Sequence, residues 1–151
     1  MIDTTIRRVA PAAIFAASLG LGWPAMAFDN TTAAPASPVV TQLKATSTTD
    51  AGQPIVLPRN DAKVIASIFD IPAGATLPVH QHPFPRYAYV LAGELRVTNV
   101  ETGQSTTYKA GDFVVEMVGQ WHQGSSIGDG AVKLLVIDQV EGNAPHTVLK
   151  Q

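Results

Sequence analysis

The sequence predicts an all-β domain closed into a jelly-roll barrel. Three observations predict it. Runs rich in Val, Ile, Thr, Phe and Tyr recur from Lys63 onward, the composition of a pleated surface packed on one side. Turn residues interrupt these runs about every 8–12 positions, the spacing of sandwiches and barrels. No segment sustains a long helical period.

Residues 1–27 read as a secretory signal peptide. Arg7 and Arg8 form a basic start, Val9 to Phe28 carries no charge, and Ala25-Met26-Ala27 has the small-residue pattern of a cleavage site. An uncharged run of this length nearly spans a bilayer. Gly20, Gly22 and Pro24 break it up, however, and the cleavage pattern follows at once. The mature chain is expected to start at Phe28 and to reside in the periplasm or outside the cell, with no membrane attachment after cleavage.

Residues 28–58 are expected to be a flexible linker and an N-terminal arm. Phe28 to Pro38 is rich in Ala, Thr, Pro, Ser and Asn, with too little apolar surface to order itself. Val39 to Thr46 is a candidate arm strand, and Gly52-Gln53-Pro54 turns the chain before Ile55-Val56-Leu57.

The barrel is assigned to residues 59–141. Lys63 to Ile71, a β-branched and aromatic run, ends at Pro72-Ala73-Gly74. Further strands are expected at Leu77 to His82, Tyr87 to Leu91, Glu94 to Asn99 and Ser105 to Lys109. Asp112 to Met117, Trp121 to Ser125 and Val132 to Gln139 complete the set. Gly93, Gly103 and Gly128 stand at the turns between them. Residues 142–151 read as a C-terminal tail, with His146 as a surface histidine.

Composition bounds the function. Removing 27 of the 151 residues leaves 124, enough for one core and not two. Loss of Asp3, Arg7 and Arg8 leaves 8 basic and 11 acidic residues, a formal charge of −3. A nucleic-acid surface needs clustered Lys and Arg, and none is present. The absence of Cys excludes disulfides, thiolate metal sites and a nucleophilic Cys. No G-x-S-x-G nucleophile turn occurs either.

Three of the four histidines fall into two Gly-framed segments, Gly74 to Arg86 and Gly111 to His122. On a strand, residues i and i+2 share a face, so His80 and His82 present two imidazoles side by side. His122 on a neighbouring strand adds a third. Three imidazoles suit Fe, Mn, Zn, Ni or Cu and leave coordination positions open for water or substrate. The bland alternative is three separate half-buried polar residues.

The two segments resemble the paired motifs of the cupin superfamily. The first reads Gly74, five residues, His80-Gln81-His82, three residues, Arg86, six residues, Gly93. The second reads Gly111, five residues, Met117-Val118-Gly119, two residues, His122, three residues, Ser126. The resemblance implies a double-stranded β-helix of the cupin type with His80, His82 and His122 as metal ligands. The chain departs from the pattern at Arg86, where the family has a metal-binding Glu, at Met117 for Pro, and at Ser126 for Asn. An Arg has no lone pair for a metal.

Glu116 is an unexpected carboxylate in the apolar run Phe113 to Met117, where the family carries an apolar residue. Three readings stay open: an ion-pair partner for Arg86, a fourth metal ligand or base, or a solvent-facing side chain. Arg86, Tyr87 and Trp121 are the candidate substrate contacts. Arg86 would grip an anion if it shares His82's face, provided that Pro83 and Pro85 preserve the register. Otherwise Tyr87 would turn inward.

Two function classes follow. In the first, the resemblance implies a non-haem iron-type dioxygenase acting on a small anionic organic substrate. In the second, the barrel holds a metal or small ligand without turnover. A homodimer is expected in both, with the arm adding a strand to a partner's sheet edge.

Overall fold

The structure, a computed structural model, describes residues 37–151. The chain divides into the units Met1–Pro38 and Val39–Gln151. Every regular element among the described residues is a strand and belongs to the second unit. The signal peptide and most of the linker lie outside the described residues.

Nine strands form two antiparallel sheets. β1 (Ala62–Ile71), β8 (Val132–Glu141), β3 (Arg86–Ala92) and β6 (Phe113–Val115) make the first, in that order. β5 (Ser105–Lys109), β4 (Glu94–Asn99), β7 (His122–Ile127), β2 (His80–Gln81) and β9 (Val148–Leu149) make the second. This is the expected jelly roll. β4 and β5 coincide with the runs read from the sequence, because a Gly turn bounds each run. The Gly93 turn has no alternative residue. Its φ is +78°, and a Cβ there would stand 2.4 Å from the Ala131 carbonyl oxygen.

Alternation fills the space between the sheets. Along β8, Val132, Leu134, Val136, Asp138 and Val140 point inward. Arg86, Ala88 and Val90 do so from β3, and Leu95, Val97 and Asn99 from β4. Register then sorts the interior by polarity. Val90 pairs with Leu134, Ala88 with Val136, and Arg86 with Asp138. On the facing sheet Leu95 pairs with Ser126, Val97 with Gly124, and Asn99 with His122. One end of the barrel is therefore aliphatic, and each buried Val or Leu there contributes about 1.5–3 kcal/mol. The other end collects the charged and imidazole side chains.

Val39 to Thr46 forms no strand within its own chain, and Val39 and Val40 are 89% and 90% exposed. One expectation is corrected. The segment 142–151 is more than a tail: β9 pairs with β2, placing Leu149 opposite His80 and Val148 opposite Gln81.

Candidate metal centre

His80 and His122 are direct cross-strand partners, so register alone brings their rings together, with centroids 4.5 Å apart. His82 follows His80 by two residues and turns to the same side, 4.9 Å from each of the other two rings. Glu116 lies just past β6, anchored by its backbone N–H donating to the Arg86 carbonyl at 3.0 Å. From there its Oε2 reaches 3.1 Å from the Nε2 of both His82 and His122. One ligand atom from each of His80, His82, Glu116 and His122 lies within 4.8 Å of the others.

The tautomers follow from the hydrogen bonds. His80 Nδ1 donates to Pro78 O at 2.7 Å, His82 Nδ1 to His146 O at 2.9 Å, and His122 Nδ1 to Gln120 O at 2.9 Å. A carbonyl only accepts, so each Nδ1 carries a proton and each Nε2 is turned to the centre, where it would offer its lone pair to a bound metal or, from His122, donate to Glu116 Oε2 at 3.1 Å. His82 Nε2 is buried with no aligned hydrogen-bond partner, although Glu116 is close. A buried polar atom left so is costly. Three imidazole nitrogens and a carboxylate converge on one point, where either shared protons or a cation offsets the negative charge. The donor set, N₃O, therefore fits a divalent metal ion.

Charge follows the same logic. Burial and the neighbouring His122 and His82 lower the His80 pKa to about 4, against a smaller upward pull from its Pro78 hydrogen bond and from Glu116. It is a neutral ligand at physiological pH. Burial pushes Glu116 up, but the approach of His122 Nε2 and His82 Nε2 at 3.1 Å, with the charge of Arg86, outweighs it and holds the carboxyl well below its usual range.

Arg86 does face the interior, with 3% of its surface exposed, and Pro83 and Pro85 do not carry it away. Its partner is Asp138, not Glu116. Nε donates to Asp138 Oδ1 at 2.6 Å and Nη2 to Oδ2 at 3.2 Å. Nη2 also donates to Thr147 Oγ1 at 2.8 Å, and the guanidinium carbon lies 5.7 Å from the centre of the Phe69 ring. The Arg86 charge is thus matched internally, which leaves Glu116 as the negative charge that faces a cation. Two of the three guanidinium nitrogens, Nε and Nη2, are engaged within the chain.

Tyr87 points to the opposite face of β3, where it stacks on Phe113 with centroids 6.2 Å apart and its OH donates to Gln139 Oε1 at 3.4 Å. It does not line the histidine cavity. Trp121 lies half-buried under Lys150 Nζ, 5.6 Å from the ring centre, also outside that cavity. The cavity itself is about 20 Å³, enclosed by His80, Arg86, Glu116 and His122 on one side and Phe69, Leu77 and Leu134 among others on the other. Gly124, two residues after His122, also lines it, and a Cβ there would meet Leu77 and Leu95 at 3.4 Å, an ordinary contact distance.

Sequence reasoning missed Asp138 and Thr147. Asp138 had a signal: it occupies an inward position in an otherwise aliphatic alternation, where a carboxylate needs a partner. Thr147 had none, because nothing local tells which residue of a polar tail returns to the barrel.

Residues 67–138 match the family model for the cupin domain, and this segment is a domain of the cupin superfamily. Among solved structures it is similar to the DMSP lyase DddQ from Ruegeria pomeroyi, at 27% identity, over 66% of this chain and 47% of that one, with a TM-score of 0.50. It is also similar to a conserved protein with a double-stranded beta-helix domain from Klebsiella pneumoniae. That match has 27% identity over 64% of this chain and 75% of that one, with a TM-score of 0.46. A third is the Bacillus subtilis oxalate decarboxylase, with Mn(II) centres, at 24% identity over 57% of this chain and 23% of that one, with a TM-score of 0.47. The chain thus spans less than half of the lyase and about a quarter of the decarboxylase. No curated protein matches it in sequence.

Proposed function

We propose that this chain is an exported cupin that binds one divalent metal through His80, His82, His122 and Glu116 and converts a small organic molecule there. The observation that carries the reading is the convergence of three Nε2 lone pairs and one carboxylate, each Nδ1 being fixed by a backbone carbonyl. A metal of this kind supplies Lewis acidity and, for Fe, Mn or Cu, one-electron chemistry towards O₂. The residues around it set what reacts. A cavity of about 20 Å³ admits about one water-sized group, so only the reacting end of a substrate enters. Its aliphatic wall excludes further water. Since Arg86 is matched by Asp138, the reading requires no anionic substrate, and a dioxygenase acting on a small organic acid, diketone or thiol is its oxygen-using form.

The test is to load metal-free protein with Fe(II) or Mn(II) and follow O₂ uptake and product formation across small acids, diketones and thiols. Turnover lost in Glu116→Gln supports the reading. A second reading, a metal- or ligand-holding module without turnover, is favoured by the small volume of the cavity. Stoichiometric metal with no turnover across the panel would support it.

Export and pairing belong to the proposal. Export is supported by the charge-free core and Ala25-Met26-Ala27. Pairing into a homodimer is supported by exposed Val39, Val40 and Leu43 in a segment that makes no ladder within the chain. Exposed Val64 and Ile68 on the edge strand β1 add to it.

A further inference from the structure

We infer that the last residues of the chain, 145–150, are a working part of this metal centre: they form a strap that positions His82 and Arg86. The inference rests on the metal-binding reading above. It starts from an asymmetry among the three histidines. His80 and His122 each donate Nδ1–H to a carbonyl two residues back, Pro78 and Gln120, so local chain geometry orients those rings. His82 donates to His146 O, 64 residues away, at 2.9 Å. Its ring is aimed only if the C-terminal segment is in place. A ligand's second nitrogen is commonly held this way, and the acceptor fixes both tautomer and direction.

Three further contacts converge on the same segment. β2, which carries His80, is two residues long and meets β7 at the single pair His80–His122. β9 supplies its other ladder, through Leu149 and Val148, and the Lys150 N–H donates to Val79 O at 2.9 Å. Thr147 Oγ1 accepts from Arg86 Nη2 at 2.8 Å, which fixes the guanidinium arm nearest the strap while Asp138 fixes the other edge. Within five residues, the strap thus sets one ligand's ring, the strand of another, and the cation beside the cavity. Thr147 is a positioning residue, acting through Arg86.

The experiment compares the full mature chain with a chain ending at Ala144, and Thr147→Val with Thr147→Ser, using Co(II) as the probe. The shortened chain is expected to bind Co(II) about 10–100-fold more weakly, the loss typical when a ligand's supporting contact goes. Thr147→Val is expected to shift the visible Co(II) spectrum, and Thr147→Ser to restore it. Long-range ¹H–¹⁵N NMR of metal-free protein gives a readout that needs no metal: His82 should be protonated at Nδ1 alone in the full chain and lose that single tautomer in the shortened one. A folded shortened chain with unchanged His82 tautomer and Co(II) affinity overturns the inference. If the shortened chain does not fold, Thr147→Val decides, and an unaltered Co(II) spectrum overturns it. If the full chain binds no Co(II), the metal reading falls, and the His82 tautomer still judges the strap.

Discussion

At position 86 the chain carries a cation where the motif it resembles carries a metal-binding carboxylate. Asp138, the direct cross-strand partner, neutralises Arg86, and Glu116 brings a carboxylate to the histidines from just past β6. Both members of the Arg86–Asp138 pair are almost fully buried, at 3% and 2% exposed. Removing one leaves the other charge without water or partner. Asp138→Ala is therefore expected to lower unfolding free energy by about 3–5 kcal/mol, whereas Arg86→Met with Asp138→Leu should recover most of it. Urea unfolding of the three proteins checks this. A pH effect follows from His80. Its folded pKa, about 4, lies below the unfolded 6.5, so the metal-free fold keeps its full stability above 6.5 and loses it as pH falls towards 4. Melting temperature against pH should show that decline, and His80→Gln should flatten it. The three histidines were legible from spacing alone, because strand parity and a matched second motif leave few places for them. The partner of Arg86 was not, since pairing across β3 and β8 depends on a register that no local pattern fixes.

Strands were legible where alternation was long and both ends were marked by Gly. β1, β4, β5 and β8 fall within a residue or two of their expected bounds at most ends. β9 was not, because two apolar residues after Pro145 and Thr147 give no period to read. The arm reads as strand at Val39-Val40 but pairs with no strand of its own chain, which leaves pairing with a second chain as its test. The turns make a prediction of their own. Gly93 and Gly103 both have positive φ, at +78° and +73°, but only at Gly93 would a Cβ strike backbone, the Ala131 carbonyl. Gly103→Ala should cost about 1–2 kcal/mol, the ordinary penalty for a left-handed residue. Gly93→Ala should cost clearly more, and chemical denaturation midpoints for the two variants test the order. Equal midpoints would mean that the β3–β4 turn relaxes away from Ala131.

For the molecule as a whole, polarity is distributed along the barrel axis: an aliphatic end that holds the sheets together, and a polar end whose ligands are ordered by register, by Gln120 and Pro78 carbonyls, and by the C-terminal strand. Export predicts a mature protein whose N-terminus, sequenced from a periplasmic fraction, is Phe28; a Met1 start in the membrane fraction would contradict it. Pairing predicts a dimer mass at micromolar concentration by light scattering, and a monomer mass would refute it. The central claim is the four-ligand centre, and metal analysis of the purified protein tests it most directly. The account predicts about one divalent ion per chain in the unmodified protein and a sharp loss in each of His80→Ala, His82→Ala, His122→Ala and Glu116→Ala. Unchanged metal content in all four variants would contradict it.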